Sequence, residues 1–548
     1  MSHILFLFQF LLFAVLSCNS SKMKVDLIVT NALVYTVNDS FAIAESFAVV
    51  DGKFMAVGSN EQIESKYISD QIIDCHGKPV YPGFIDAHCH FFGYGMNLLQ
   101  YADLSGLSDQ ESIYKTLNEH YLKTKGEWLL GRGWDQNLWP EKEFPDNQRL
   151  NELFPDVPVY LIRIDGHAAW CNEKALQQAG IKASTKIDGG EVLLKNGKLT
   201  GVLIDNAKEL VFNRIPEPTI ALKTKALLTA QKNCLEVGLT SVTDCGLPKE
   251  IILLMDSLQK RRELKMRINA MMEASKENLE YFLKNRPYIT DRLQVNTIKL
   301  YADGALGSRG AYLLGDYSDD PGNSGLLMNK PEYFESICQK AYGAGFQVAT
   351  HCIGDGANRF ILNIYGKFLK GKNDLRWRIE HAQVVYPDDI ALFAKYSVIP
   401  SIQATHATSD MFWADERLGT ERLKSAYAYQ QLLNQNGWLP NGTDFPIEGI
   451  NPISTFYASV FRKNKEGLPE NGFQPENALT REQTLRSITI WAAKAGFEER
   501  KKGSIETGKL ADFVVLDTDL MNCQESKILK IKVLKTFLNG EMVYNGGH

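Results

Sequence analysis

The chain has 548 residues, of which 44% are hydrophobic and 23% charged, and a formal net charge of -5. That length holds more than one core. The mildly acidic balance gives no reason to expect a nucleic-acid partner, and neither a phosphate-binding glycine loop nor a dinucleotide fingerprint occurs.

The apolar run from Ile4 to Cys18 is too short and too uniformly apolar for a core helix with a solvent face. It reads as the h-region of a signal peptide. It ends in Val15-Leu16-Ser17-Cys18, which resembles a bacterial lipobox, and a short polar tether follows. No Lys or Arg precedes the run, which departs from the usual pattern, so an uncleaved N-terminal anchor or a buried helix is the competing reading. No later stretch approaches the ~20 apolar residues of a spanning helix. Beyond Cys18 there are eight cysteines with no C-x-x-C pair, so neither a disulfide framework nor a zinc ribbon is indicated.

Residues 23–80 read as short strands broken by Asp51-Gly52 and Gly77, and the C-terminus has the same texture, with an Asn539-Gly540 turn. Neither end has enough strands for a stable sheet, so the two are expected to pair into one small β domain. Between them, apolar strand candidates alternate with helical stretches. Eight such strands fall at 80–88, 238–244, 266–272, 296–304, 345–351, 376–382, 397–406 and 437–444. This α/β rhythm predicts a (β/α)8 TIM-like barrel with its active site at the carboxyl ends of the strands. The first gap is too long for a single crossover, so a large insertion of about 97–235 is expected over the barrel mouth. The expected organisation is a signal peptide and lipoprotein tether over 1–22, a composite β-sandwich from 23–80 with 500–548, and a barrel over 81–499.

The first barrel strand ends in "PGFIDAHCH". Residues two apart in a strand share a face, so His88 and His90 can both turn inward. Lys299, His351, His381 and Asp444 fall at the same height on the fourth, fifth, sixth and eighth strands. Four imidazoles and a carboxylate on one rim suit zinc or a similar divalent ion. Taken singly, each has a plainer explanation: a hydrogen-bonded structural histidine, a lysine that pairs with a carboxylate, an aspartate that caps the next helix.

On the substrate side, Trp134, Asp135 and Trp139 in "GRGWDQNLWP", with Asp165, His167 and Trp170 in "DGHAAW", are candidates for a lid pocket. Packing of the insertion's own core would account for the tryptophans equally well. Arg309, on the loop after Lys299, could bind an anion or a neighbouring carboxylate. His406, at the expected end of the seventh strand, is a candidate contact for substrate or an oxyanion.

These motifs, with "IKLYADGALGSRGA", "THCIGDGAN", "RIEHAQ", "GTDFP" and "GSIETGKLADFVVLD", resemble the amidohydrolase superfamily of urease-like metal-dependent hydrolases. More narrowly they are similar to the amidohydrolase-3 family, typified by N-substituted formamide deformylases. The resemblance implies that His88, His90, His351, His381 and Asp444 ligate one or two divalent ions. Lys299 then matches the lysine that binuclear members carry in carboxylated (carbamylated) form. Asp444 would handle the proton while water attacks an amide-type carbonyl. The same barrel permits lactone or phosphotriester hydrolysis, and a metal-free binding protein on this fold is expected to have lost ligands. The partners expected are a small-molecule amide-type substrate, the membrane through an N-terminal lipid anchor and, as an option left open, a homo-oligomer. The expected location is the bacterial cell envelope.

Overall fold

The computed structural model describes residues 22–284 and 287–547. The signal-peptide and Cys18 reading lies outside them. Among the described residues no helix is long and apolar enough to cross a membrane.

Seven parallel strands form the central sheet, in the order Phe84–Cys89, Leu239–Leu247, Arg267–Glu273, Leu293–Tyr301, Gln347–Cys352, Arg378–His381 and Ile399–Ser401. They are called here the first to seventh barrel strands. The eighth expected strand, 437–444, is not regular. It bridges to the seventh strand only through Ile402 and Asn441. Backbone bonds hold it on both sides: Ile402 N–H to Pro440 O and Gly442 N–H to Ile402 O, each at 3.0 Å, and Ala87 N–H to Asn441 O at 3.4 Å and Asp444 N–H to His88 O at 2.8 Å. This segment fills the gap between the seventh and first strands and makes a nearly closed TIM-like barrel. Gly442 permits it, since a Cβ there would lie 2.5 Å from the His88 nitrogen.

Two other expected strands are also shorter in the structure. The run 80–88 splits at Gly83: Pro79–Pro82 joins an outer sheet, and Phe84–Cys89 enters the barrel. The run 397–406 yields only Ile399–Ser401, and His406 lies on the helix Ala404–Asp410 that follows. Apolar alternation cannot tell a strand from a strand that leaves its sheet, because both are equally buried.

The chain ends meet in two small sheets. One has four strands, all from residues 27–74; the other has six and joins an N-terminal block, with Leu33–Tyr35 and Pro79–Pro82, to a C-terminal block, with Phe513–Leu516 and Val533–Leu538, through the pairing of Pro79–Pro82 with Phe513–Leu516. Phe47, Phe54, Phe513 and Phe537 fill the space between them, with Phe513 stacked on Phe537 at 4.2 Å. Each buried ring contributes about 1.5–3 kcal/mol. The insertion carries its own six-stranded sheet, running from Ala102–Asp103 to Lys198–Asp205, and a separate core.

A buried ion pair ties the outer sheet to the barrel floor. Arg267, opening the third barrel strand, meets Asp512 at 2.6 Å, and both are under 5% exposed. Removing one partner of such a pair strands a charge in a dry site. Asp512→Ala is therefore expected to lower stability by about 3–5 kcal/mol in urea unfolding. Replacing both partners, as Arg267→Met with Asp512→Leu, should recover most of that loss.

Candidate metal centre

The mouth of the barrel gathers the expected residues. His88 is fully buried, and its Nδ1 donates to Glu380 Oε2 at 2.5 Å. Glu380 is in turn held by Arg378 at 2.6 Å, both side chains without solvent exposure. A carboxylate behind an imidazole fixes its tautomer and turns Nε2 toward the site. His90 sits at the strand's end, with Nδ1 3.1 Å from the Cys245 carbonyl and Nε2 3.3 Å from Asp444 Oδ1. Lys299 Nζ lies 3.4 Å from His88 Nε2. The ring of His381 is 5.0 Å from that of His88 and 4.5 Å from that of His351.

Two of these residues occupy backbone conformations that bulky residues avoid. His381 has φ 70° and Asp444 has φ 61°. Residues 378 and 380 follow the inward alternation of a strand, and the left-handed turn at 381 then brings the next side chain inward as well. Strain of this kind persists only where the surrounding structure enforces it.

The fit to a metal can be judged from the donors. His88, His381 and Asp444 offer ligand atoms that all lie within 4.8 Å of one another, and all three residues are buried. Asp444 Oδ1 and His381 Nδ1 are buried with no hydrogen-bond partner. His90 approaches that oxygen closely but without the direction of a hydrogen bond. Such orphaned atoms are costly unless something fills the space between them. Burial also pushes His88 down to about 4, helped by Lys299 and opposed by Glu380, and burial drives His351 and His381 well below the usual histidine range. Neutral imidazoles are the ligating form. The residues present fit a divalent ion held by nitrogen and oxygen.

Asp444 has a second role open to it. Burial would raise its carboxyl, but the hydrogen bond from His406 and the imidazoles around it hold it well below the usual carboxylate range. His406 Nε2 donates to Asp444 Oδ2 at 3.0 Å, and its Nδ1 faces Glu448 at 3.4 Å. Glu448 and Glu380 were not singled out from sequence. Glu380 had a signal in the spacing Arg-x-Glu-His; Glu448 had none, since its partner lies 42 positions away on a helix the sequence did not indicate.

The cavity above the ligands is lined by both the barrel and the insertion. Asp135, Arg163, Asp165 and His167 come from the insertion, and Trp413, Leu306 and Ile447 give an apolar wall. The fully buried Arg163 reaches Asp165 at 2.6 Å and also pairs with Asp135. Trp134 and Trp139 do not line this cavity. They stack at 6.0 Å inside the insertion core with Trp170, and the Trp134 indole donates to Leu161 O. A sheet of that size needs large apolar side chains beneath it, and these supply them. Arg309 is also outside the cavity, paired with Asp319 at 2.9 Å.

Residues 71–544 match the Amidohydrolase family. The chain belongs to that family. It is 33% identical to Protein LONG AFTER FAR-RED 3 of Arabidopsis thaliana over 95% of this chain and 91% of that one. It is 25% identical to the N-substituted formamide deformylase of Arthrobacter pascens over 95% of this chain and 98% of that one. Among solved structures, a metal-dependent hydrolase of Pyrococcus horikoshii superposes with a TM-score of 0.74 at 28% identity, covering 91% of this chain and 99% of that one. The protein is thus an amidohydrolase-family, metal-dependent hydrolase.

Glu380→Gln keeps the shape of the side chain but weakens its hold on His88. Its affinity for divalent metal, measured by competition with a chelator, is expected to fall about 10- to 100-fold.

Proposed function

We propose that this hydrolase cleaves a carbon–nitrogen bond, other than a peptide bond, in a small amide-type substrate. The observation that carries the reading is the pair of buried ligand atoms left without partners, Asp444 Oδ1 and His381 Nδ1, in one cluster of imidazoles around a carboxylate. His88, His90, His351, His381 and Asp444 would hold one or two divalent ions, zinc being the first candidate for a nitrogen-and-oxygen donor set. When bound, the metal supplies Lewis acidity that polarises the carbonyl and eases ionisation of water.

The chain's own groups do the rest. Asp444 accepts a proton from the attacking water while the remaining hydroxyl bonds to the carbonyl carbon. The same proton passes to the leaving nitrogen as the carbon–nitrogen bond breaks, so the products are a carboxylic acid and an amine. His406 and Glu448 hold Asp444 in line. Trp413, Leu306 and Ile447 offer an apolar wall to the nitrogen substituent. The relative that acts on N-substituted formamides supports a carbon–nitrogen bond.

Lys299, in carboxylated form, would join the ligands in this reading. It is 1% exposed and, among the described residues, makes no ion pair with a carboxylate. An ammonium buried that way is expensive. Loss of its proton would leave a neutral amine, whose attack on carbon dioxide with release of a second proton would give a carbamate anion that bound cations would stabilise. At the N-terminus, the lipobox-like end of the apolar run supports lipidation of Cys18 and attachment at the outer face of a bacterial membrane.

Three measurements test these statements. A panel of N-substituted formamides, acetamides, carbamates, lactones and a phosphotriester should show turnover confined to carbon–nitrogen substrates and lost on chelation; preferred lactone cleavage would overturn the bond assignment. Asp444→Asn should retain metal yet lose about 10²- to 10⁴-fold in kcat, with KM changing less. Wild-type kcat in that variant would remove Asp444 from proton transfer. Cys18→Ser should release the protein from the membrane fraction and remove the acyl mass.

A further inference from the structure

The insertion brings one more imidazole to the cavity wall, and it is not placed by chance packing. His167 lies between the strands Val159–Arg163 and Ala168–Cys171, and its ring is 5.0 Å from that of His351. Its Nδ1 donates to Asp205 Oδ1 at 2.7 Å. Asp205 ends the strand Lys198–Asp205, is fully buried, and gives its own N–H to the His167 carbonyl at 2.8 Å. The two residues are therefore locked together twice, once through the side chains and once through the backbone.

Asp205 also pays a conformational penalty to be there. Its backbone sits at φ 47°, ψ -122°, outside the regions open to a residue with a side chain. Its second oxygen, Oδ2, is buried without a hydrogen-bond partner. That oxygen presses on the loop after the fourth barrel strand. A Cβ on Gly304 would meet it at 2.4 Å, and one on Gly310 at 2.5 Å. The Gly304 carbonyl in turn lies 3.3 Å from His351 Nε2. A single carboxylate thus touches the insertion's histidine on one side and, on the other, the barrel loop that contacts His351.

We propose that His167 contacts the substrate directly, and that Asp205 is the positioning residue that holds its ring over the metal-ligand side of the cavity. With Nδ1 committed to Asp205, Nε2 is the ring's remaining polar atom, and no hydrogen bond within the described residues occupies it. It is the insertion, then, that completes the polar complement of the barrel. The substrate class implied carries a hydrogen-bonding group within reach of His167, on the side of the cavity where His351 lies. This rests on the hydrolytic reading of the cavity given above.

The test uses the metal-loaded full chain, with two readouts: kcat and KM on the best amide of the panel, and calorimetric binding of acetohydroxamate, an amide-shaped metal chelator. His167→Gln should lower kcat/KM and acetohydroxamate affinity about 10- to 100-fold with metal content and melting temperature unchanged. Asp205→Asn should do nearly the same, and the double variant should be no worse than His167→Gln alone, because asparagine keeps the packing against Gly304 and Gly310 and loses only the charged hold on the ring. Additive losses, or wild-type affinity in His167→Gln, would overturn the proposal. If Asp205→Asn does not fold, Gly310→Ala, which pushes on the same carboxylate, takes its place. A wild-type protein that binds acetohydroxamate through His167 but cleaves no amide would sink the amidase reading and leave this one standing; a wild-type protein that binds none would sink this one.

Discussion

The carboxylate of Asp86 holds the barrel shut, and the site depends on that closure. It accepts from the Thr443 hydroxyl at 2.7 Å, and from the backbone N–H groups of Thr443 and His88, each at 3.1 Å. The eighth segment has no regular ladder of its own, so these bonds, the close approach of Gly442 and the backbone bonds of Asp444 N–H to His88 O and Ala87 N–H to Asn441 O together seat it against the first strand. Asp444 follows directly, in a left-handed turn, and so arrives beside His88 and His90. A regular strand would have continued past the rim with its side chains alternating. An irregular one can stop and aim a single carboxylate.

The same economy recurs at the sixth strand. Arg378 and Glu380 alternate inward as a strand requires, and the turn at His381 then places an adjacent residue on the same side. One short strand thereby supplies a candidate ligand, the carboxylate that orients another ligand, and the cation that neutralises that carboxylate. The cost is backbone strain at His381, along with buried charge. His381 Nδ1 and Asp444 Oδ1 are buried there without hydrogen-bond partners, a cost that a bound metal would relieve, so the folded geometry and the metal reading support each other.

The insertion works by a different principle. Its tryptophans are spent on its own core, so it can carry a rigid sheet to the barrel mouth without borrowing apolar surface from it. What it presents to the cavity is mostly polar: Arg163 between two aspartates, and His167 backed by Asp205, with Ile164 the apolar exception. The barrel contributes the ligands and much of the apolar wall. A site made jointly by two separately packed layers allows one to change without repacking the other.

The alternation of strands and helices is written in short-range periodicity and was legible from local pattern. His88 and His90 stood out as a two-residue repeat, but only the candidates spaced along the other strands gave that repeat a meaning, and the fold brings those residues to one mouth. The remaining features depend on residues far apart in the chain. Whether Trp134 and Trp139 lined a pocket or filled a core was undecidable until the sheet above them existed, since both fates bury an indole. The shortening of the seventh strand, and with it the helical position of His406, followed from where the barrel ran out of partners. Glu448 carries no motif that separates it from an ordinary surface carboxylate, and Asp205, although it lies in the motif GVLIDNA, gives no local sign of the histidine it holds. Their importance arises from what folding brings against them, and only the tertiary structure decides that, because hydrogen bonds and close packing act across space and leave no period in the sequence.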